Sequence, residues 1–358
     1  MNRRFNQIFR KARKPENIIP LNSQNCFVIF SDQHKGDKSA ADDFKKNANL
    51  YESALSYYKQ RGFRLIVLGD SEEIWENSFS QIVNGYRDLI QKEIEMAPTT
   101  PDQKRIRVWG NHDKEVTLHR FKKYCQRSKE TLLEDVSYQE GLCLGEDIFL
   151  VHGHQGRFFE DIAWKISRWA IKNLWKTAQK MFHIGQNGAA RDFEIQEKIE
   201  RSYYQWAKKK RLMLVCGHTH RAVFGSLSHY DHLQFEILYL QKLLKENLNL
   251  SKQDIIQELH EKKSELDKIL DKRSGNEPKS FDEELQRPVP CYFNDGCCCY
   301  ADGITCLEIE RGAVHLIQWK RQGTERVILG EGNIQQILSY IKEARPVDEA
   351  LEPKLKNI

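Results

Sequence analysis

The sequence has no hydrophobic run long enough to span a membrane. No stretch approaches the roughly 18 consecutive apolar residues that a spanning helix needs, and the first residues lack the apolar core of a secretory signal. The nine cysteines are an odd number and are scattered apart from one cluster, so a disulfide framework is not expected. We therefore expect a cytoplasmic protein with no transmembrane segment.

A large excess of charge of one sign is also missing. The chain has 56 Lys and Arg against 51 Asp and Glu, which gives a formal net charge of +5. This balance does not by itself indicate a polyanionic partner. No internal repeat is evident, and 358 residues suffice for one large domain with insertions.

What the sequence does contain is a recurring pattern, in which a short apolar run stops abruptly at polar residues. Buried strands end in this way at a functional edge of a sheet. Helical patterns over 40–61 and 81–95 separate the first three runs, which predicts an α/β fold with a ligand site at the carboxyl ends of its strands. The five runs are 26–30, 65–68, 106–109, 148–151 and 212–216.

The polar residues after these runs are of types that bind divalent metals. Asp32 and His34 are two residues apart, so in extended geometry they share a face. Asp70 has two oxygens and can bridge two ions, and Asn111 is an uncommon but competent oxygen donor. A single histidine in such a place is more often structural than a ligand, but five strand ends in order predict a dinuclear metal site.

The ordered motifs resemble the five-block signature of the calcineurin-like metallophosphoesterases. The blocks are Asp-x-His, Gly-Asp, Gly-Asn-His-Asp, His-Gly-His and Gly-His-Thr-His, and they span about residues 28–221. The resemblance implies an α/β fold, a four-layer αββα sandwich of two mixed β-sheets flanked by helices, with helical insertions. It further implies that Asp32, His34 and His220 bind one metal, that Asn111, His152 and His218 bind the other, and that Asp70 bridges the two. By the same resemblance, His112 is a catalytic residue that binds no metal, and His154 has no ligand role.

The activity that this resemblance implies is that of a metal-dependent phosphoric ester hydrolase. Two divalent ions, Mn²⁺, Fe²⁺ or Zn²⁺, would activate a hydroxide that attacks a phosphoester or pyrophosphate bond, and ligand type does not choose among these metals. The expected partner is a phosphorylated substrate, with a nucleotide-containing one among the candidates.

Three narrower interpretations stay open. The basic and aromatic helices between His152 and His220 are similar to those of the UDP-2,3-diacylglucosamine pyrophosphohydrolases, although residue 112 is His where those enzymes typically have Arg. The lysines and tryptophans of the same segment would suit a metal-dependent nuclease that grips phosphates and stacks bases, unless the tryptophans simply pack on the core. A non-catalytic scaffold is the third interpretation, and the complete set of ligand residues argues against it.

The chain divides into a basic N-terminal segment (1–20), a metallophosphoesterase domain (21–345) and a charged tail (346–358). The domain carries a helical insertion at 158–210 and a helical hairpin at 235–285, whose default role is packing or self-association.

Three local patterns complete the sequence interpretation. The first 14 residues are either a solvated, frayed terminus or a basic arm for a membrane surface or nucleic acid. Three strands of a meander are expected over 291–300, 304–310 and 313–320, followed by a helix over 334–343. Cys297, Cys298 and Cys299 fall in the first of these strands, and they are interpreted as small buried thiols rather than as a third metal site.

Overall fold

The chain folds into two seven-stranded β-sheets that pack face to face and are flanked by helices. The computed structural model describes residues 3–22, 24–96, 105–114, 136–156, 187–245, 252–272, 277, 280–281 and 288–344. The described helices are α1 (Arg3–Ala12), α2 (Ala48–Gln60), α3 (Phe79–Glu95), α4 (Asn187–Lys210), α5 (His229–Lys245), α6 (Lys252–Lys272) and α7 (Ile334–Glu343). The described strands are β1 (Ile18–Ile19), β2 (Phe27–Phe30), β3 (Arg64–Leu68), β4 (Arg105–Val108), β5 (Val136–Gln139), β6 (Gly141–Leu144), β7 (Ile148–Val151), β8 (Met213–Cys216), β9 (Ala222–Phe224), β10 (Leu227–Ser228), β11 (Tyr292–Asp295), β12 (Gly303–Glu310), β13 (Ala313–Lys320) and β14 (Glu325–Asn333).

Both sheets are mixed. The first has the strand order β14-β13-β12-β2-β3-β4-β5, in which β2 to β5 run parallel and β12 to β14 form an antiparallel meander. The second has the order β1-β6-β7-β8-β11-β9-β10, with β7, β8 and β11 parallel. The expected αββα sandwich of two mixed sheets is confirmed.

The continuous apolar runs exist because the central strands are buried on both faces. On β2, Phe27 and Ile29 point into the core shared with the second sheet, while Val28 and Phe30 pack under helices α2 and α3. Each fully buried side chain of this kind contributes about 1.5–3 kcal/mol. The five predicted runs all form strands, and β2, β3 and β4 deliver their ends from one sheet while β7 and β8 deliver theirs from the other.

The N-terminal helix α1 is neither a frayed terminus nor a free arm. Its apolar face is buried, and Phe5 contacts Phe149, Tyr203 and Trp206 with ring centroids 4.8–6.0 Å apart. The sequence interpretation was wrong here, because the apolar stripe that suggested a surface helix has its partners on β7 and α4, far along the chain.

Two further expectations need correction. The strand predicted over 291–300 is shorter, ends at Asp295 and belongs to the second sheet beside β8, and the third strand of the meander is instead β14. Consequently Cys297, Cys298 and Cys299 lie in a loop rather than in an alternating strand. The two helices α2 and α3 start at Ala48 and Phe79, and the C-terminal helix spans the residues predicted for it.

The helical insertions are described in part. Residues 157–186, which include the predicted basic and aromatic helices with Trp164, Trp169 and Trp175, lie outside the described residues, and α4 covers 187–210. Helices α5 and α6 pack against each other as a hairpin, linked by an ion pair of 2.7 Å between Lys262 and Glu236. Within the described ranges, no helix combines the length and the apolar character needed to cross a bilayer.

Candidate metal centre

Six of the seven predicted metal ligands come together at the carboxyl ends of the strands of both sheets. They form two groups, and within each group one ligand atom per residue lies within 4.8 Å of the others. The groups are Asp32, His34 and His220, and Asp70, His152 and His218.

Asp70 occupies the position between these two groups. Its Oδ2 lies 3.1 Å from Nε2 of His152 in one group and 3.9 Å from Nε2 of His34 in the other. In the first group, Oδ1 of Asp32 lies 3.1 Å from Nε2 of His220. A carboxylate with this placement suits the bridging role that the resemblance implies.

Two of the histidines are oriented by hydrogen bonds in which Nδ1, the ring nitrogen that faces away from the centre, is the donor. Nδ1 of His152 lies 2.8 Å from the backbone oxygen of Leu68, and Nδ1 of His34 lies 2.8 Å from Oε2 of Glu73. Donation from Nδ1 leaves the lone pair on Nε2, which points into the centre. Histidines that bind metals in proteins are commonly held in this way.

Several buried polar atoms of the site have no hydrogen-bond partner among the described residues. These atoms are Asp32 Oδ1, Asn111 Oδ1 and His152 Nε2. A buried polar atom without a hydrogen bond is costly and uncommon, and a pair of divalent cations would satisfy all three, one at Asp32 and the other at Asn111 and His152. The residues present therefore fit a metal centre, and the side-chain oxygen of Asn111 is buried and makes no hydrogen bond among the described residues.

The electrostatics of the site favour cations. Burial raises the carboxyl pKa and lowers the imidazole pKa, but the attraction between the two kinds of group outweighs burial. The pKa of Asp32 and of Asp70 falls well below the ordinary value, and the pKa of His152 rises to about 9 next to Asp70 and Asp32. The negative potential that holds protons on these imidazoles is equally favourable to divalent metals, which displace those protons on binding.

The backbone at the strand ends is strained. Asp32, His34, Asp70, His218 and His220 all adopt positive φ angles, between 50° and 69°, which residues other than glycine rarely adopt. Such strain costs on the order of 1–3 kcal/mol per residue and is concentrated at functional sites. Five of the ten non-glycine residues with positive φ in the described ranges are predicted ligands, so this conformation is concentrated at the strand ends of the site.

Two residues that the sequence interpretation missed support His112. Glu73 Oε1 lies 2.7 Å from Nδ1 of His112, while its other oxygen contacts His34. Burial opposes ionisation of Glu73, but the two imidazoles lower its pKa to about 2. Trp75 stacks on His112 with a centroid distance of 4.0 Å and an interplanar angle of 22°, and its Nε1 donates to the backbone oxygen of Asn111.

The remaining conspicuous residues have supporting positions. Asp113 accepts hydrogen bonds from the backbone nitrogens of Ser71 and Gly110, so it joins the ends of β3 and β4. His154 is buried beside Trp109, and burial together with His152 and His218 lowers its pKa well below the ordinary value. His154 belongs to neither of the two ligand groups.

Gly110 allows β4 to approach Asp70. A Cβ atom at residue 110 would overlap the Asp70 carboxylate and would lie 2.5 Å from its backbone nitrogen. We expect Gly110→Ala to lower the free energy of unfolding by about 1–3 kcal/mol, because neither atom can move without disturbing the site. Urea unfolding monitored by circular dichroism measures this change.

The matched control for that variant is Gly85→Ala in helix α3. There a Cβ atom would meet nothing closer than 3.5 Å, so the change should be neutral or stabilise by up to about 1 kcal/mol. Equal unfolding free energies for the two variants would show that the contact at residue 110 is not restrictive.

The fold and the donor set together define an α/β sandwich protein with a candidate two-metal centre between the ends of its two sheets. The family model for calcineurin-like phosphoesterases matches residues 27–222, more than half of the chain, and the protein therefore belongs to that family. No curated protein sequence matches the chain.

A search of solved structures returns the vacuolar protein sorting 29 of Cryptosporidium parvum, with 10% sequence identity and a TM-score of 0.34. The alignment covers 87% of this chain and 100% of that one. A likeness at this level has no bearing on what the present chain does.

Proposed function

We propose that this protein hydrolyses a phosphoester or pyrophosphate bond at a centre of two divalent metal ions. Asp32, His34 and His220 would hold one ion and Asn111, His152 and His218 the other, with Asp70 shared between them. When bound, such a pair supplies an activated water and neutralises charge on the phosphoryl group. The family to which the chain belongs supports metal-dependent phosphoester hydrolysis as the class of reaction.

The observation that carries the proposal is the paired arrangement of the ligand groups. Each of the two groups combines a carboxylate with two imidazoles, and Asp70 lies close to both groups. An ion-pair network that only stabilises the fold does not require two such groups side by side. Buried atoms of Asp32, Asn111 and His152 make no hydrogen bond within the described residues, although those of Asp32 and His152 lie 3.1 Å from an atom of another predicted ligand. A network built for stability alone would give the buried side-chain oxygen of Asn111 a partner.

His112 would be the protein group that acts on the substrate. Its side chain is partly exposed, its Nδ1 faces Glu73, and its backbone nitrogen donates to Oδ1 of Asp70 at 2.8 Å. With Nδ1 engaged, Nε2 remains to donate a hydrogen bond or a proton to an oxygen of the phosphate. This is the geometry required of a group that stabilises the transition state or protonates the leaving oxygen.

Metal removal and reconstitution test the proposal. Protein stripped with a chelator should cleave none of a panel of phosphate monoesters, diesters and pyrophosphates, and addition of Mn²⁺ should restore cleavage of at least one class. Elemental analysis should find about two metal ions per chain. A protein that holds two ions and cleaves nothing in the panel would contradict the proposed function, as would cleavage that survives the chelator.

The finer substrate assignments stay predictions. The resemblance to the UDP-2,3-diacylglucosamine pyrophosphohydrolases depends on the insertion at 158–210, and residues 157–186 of it lie outside the described ones. The nuclease interpretation depends on the same segment. Release of UMP from UDP-2,3-diacylglucosamine by the Mn²⁺-loaded protein would support the first, and its absence from an active preparation would remove it.

A further inference from the structure

A groove leads from the metal centre along the helical hairpin. Its volume is about 850 Å³, and its walls come from α6 on one side and from the meander strands on the other. His220, a predicted metal ligand, lies in its lining, and the hydroxyl of Tyr300, also in the lining, donates to the backbone oxygen of His220. The groove therefore begins at the metal centre and is large enough for an organic group attached to the reacting phosphate.

The lining of this groove mixes charges of both signs and neutral polar groups with apolar surface from side chains such as Tyr230, Ile269 and Leu329. Helix α6 contributes Ser264 and Lys268 together with acidic side chains, and β13 contributes Lys320 on the other wall. Asp302 lies beside them and accepts a hydrogen bond of 3.4 Å from Gln318. Donors and acceptors are thus presented side by side along the length of the groove.

Such a lining suits an occupant that combines hydroxyl groups with apolar faces. Charges of both signs line the groove, so they do not favour the repeated phosphates of a nucleic acid strand. An acyl chain would cover the apolar surface of Ile269 and Leu329 but would leave the hydroxyl, amide and carboxylate groups of the lining without partners. Hydroxyl groups suit the lining, because each one accepts from a lysine and donates to a carboxylate.

We propose that the groove binds the sugar of a sugar phosphate or nucleotide whose phosphate lies at the metal centre. This inference rests on the proposed function and adds to it a substrate class. Arg221, which follows His220 in the chain, does not serve as a free phosphate clamp, because its Nη1 is 3.4 Å from both Glu197 and Glu200. The hairpin, which lies outside the block motifs of the family, would then contribute to recognition of the substrate beyond its phosphate.

Equilibrium binding to the Mn²⁺-loaded protein tests the inference without requiring turnover. Isothermal titration calorimetry would compare ribose 5-phosphate, uridine 5′-monophosphate, decyl phosphate and methyl phosphate, which carry the same phosphate group. We expect ribose 5-phosphate to bind at least tenfold more tightly than methyl phosphate. Uridine 5′-monophosphate then shows whether the base adds to this gain, which distinguishes a nucleotide from a simple sugar phosphate.

Ser264→Trp fills the groove from the α6 side and should reduce the preference for ribose 5-phosphate over methyl phosphate to threefold or less, with methyl phosphate binding unchanged. Lys263→Glu is the matched control, because Lys263 is an exposed residue of the same helix that does not line the groove, and the preference should remain. Lys320→Gln on the opposite wall provides a second variant should the tryptophan impair folding, and it should weaken the preference in the same direction.

Equal binding of ribose 5-phosphate and methyl phosphate by the wild-type protein would overturn the inference. Tighter binding of decyl phosphate than of either sugar ester would overturn it in favour of a lipid. Sugar-selective binding by a loaded protein that cleaves no phosphoester would sustain the groove assignment and reject the proposed hydrolysis, so the two failures are distinguishable.

Discussion

Asp70→Asn is expected to abolish most activity and to empty the metal centre. The two side chains have nearly the same shape, so the change mainly removes one negative charge from a carboxylate that lies between the two histidine groups. We expect bound metal to fall from about two ions per chain to fewer than one, and kcat/KM to fall on the order of a thousandfold. Elemental analysis and a Mn²⁺-supplemented assay of the best substrate measure both effects.

Asp88→Asn is the matched control for this variant. Asp88 is an exposed residue of helix α3, so the same chemical change there should leave metal content and kcat/KM within twofold of wild type. An Asp70→Asn protein that retains two ions and full activity would remove Asp70 from the centre and would leave the two-metal proposal without its bridging ligand.

The strand ends were predictable because the signal that marks them is local. A run such as Phe27–Phe30 is apolar at every position only when both faces are buried, and the polar residues that follow must then emerge at the edge of the sheet. The arrangement of Asp32, Asp70 and His152 around one centre follows from that rule together with the ordered motifs. The positive φ angles of Asp32 and Asp70 do not follow from it, because local propensity argues against such conformations.

The role of Glu73 could not be predicted in the same way. Glu72 and Glu73 are adjacent acidic residues after Asp70, and nothing in their order distinguishes them. In the folded protein Glu72 is buried against Arg107 and Lys35, whereas Glu73 points the other way toward His34 and His112. The two glutamates differ only in the side of the loop on which the carboxylate lies. This difference makes Glu72 part of a structural ion pair and Glu73 part of the site.

Long-range packing accounts for the other failures. The amphipathic pattern of helix α1 was visible, but its partners Phe149 and Trp206 are more than 100 residues away, and no local rule connects them. The loop with Cys297 and Cys299 was mistaken for strand because cysteine is tolerated in strands. The loop instead packs against the metal centre, where Cys299 Sγ lies 3.3 Å from the backbone oxygen of Gln33.

His112→Ala is expected to separate metal binding from turnover. His112 contacts Glu73 and Trp75 and belongs neither to the ligand group with Asp32 nor to the one with Asp70. Its loss should therefore leave about two ions per chain. Removing the imidazole takes away the donor that His112 would present to the phosphate oxygens. We expect kcat to fall roughly a hundredfold or more, with a smaller change in KM.

Glu73→Gln provides the graded companion to that experiment, because it keeps the imidazole and weakens only its support. A neutral amide at residue 73 still reaches Nδ1 of His112 but no longer stabilises a positive charge on the ring. We expect kcat to fall about tenfold, less than in His112→Ala, and the double variant to be no slower than His112→Ala alone. Such non-additivity would show that Glu73 acts on the reaction through His112. Full activity of His112→Ala would instead exclude the imidazole from the reaction, and additive losses would mean that Glu73 acts through His34 and the metal centre.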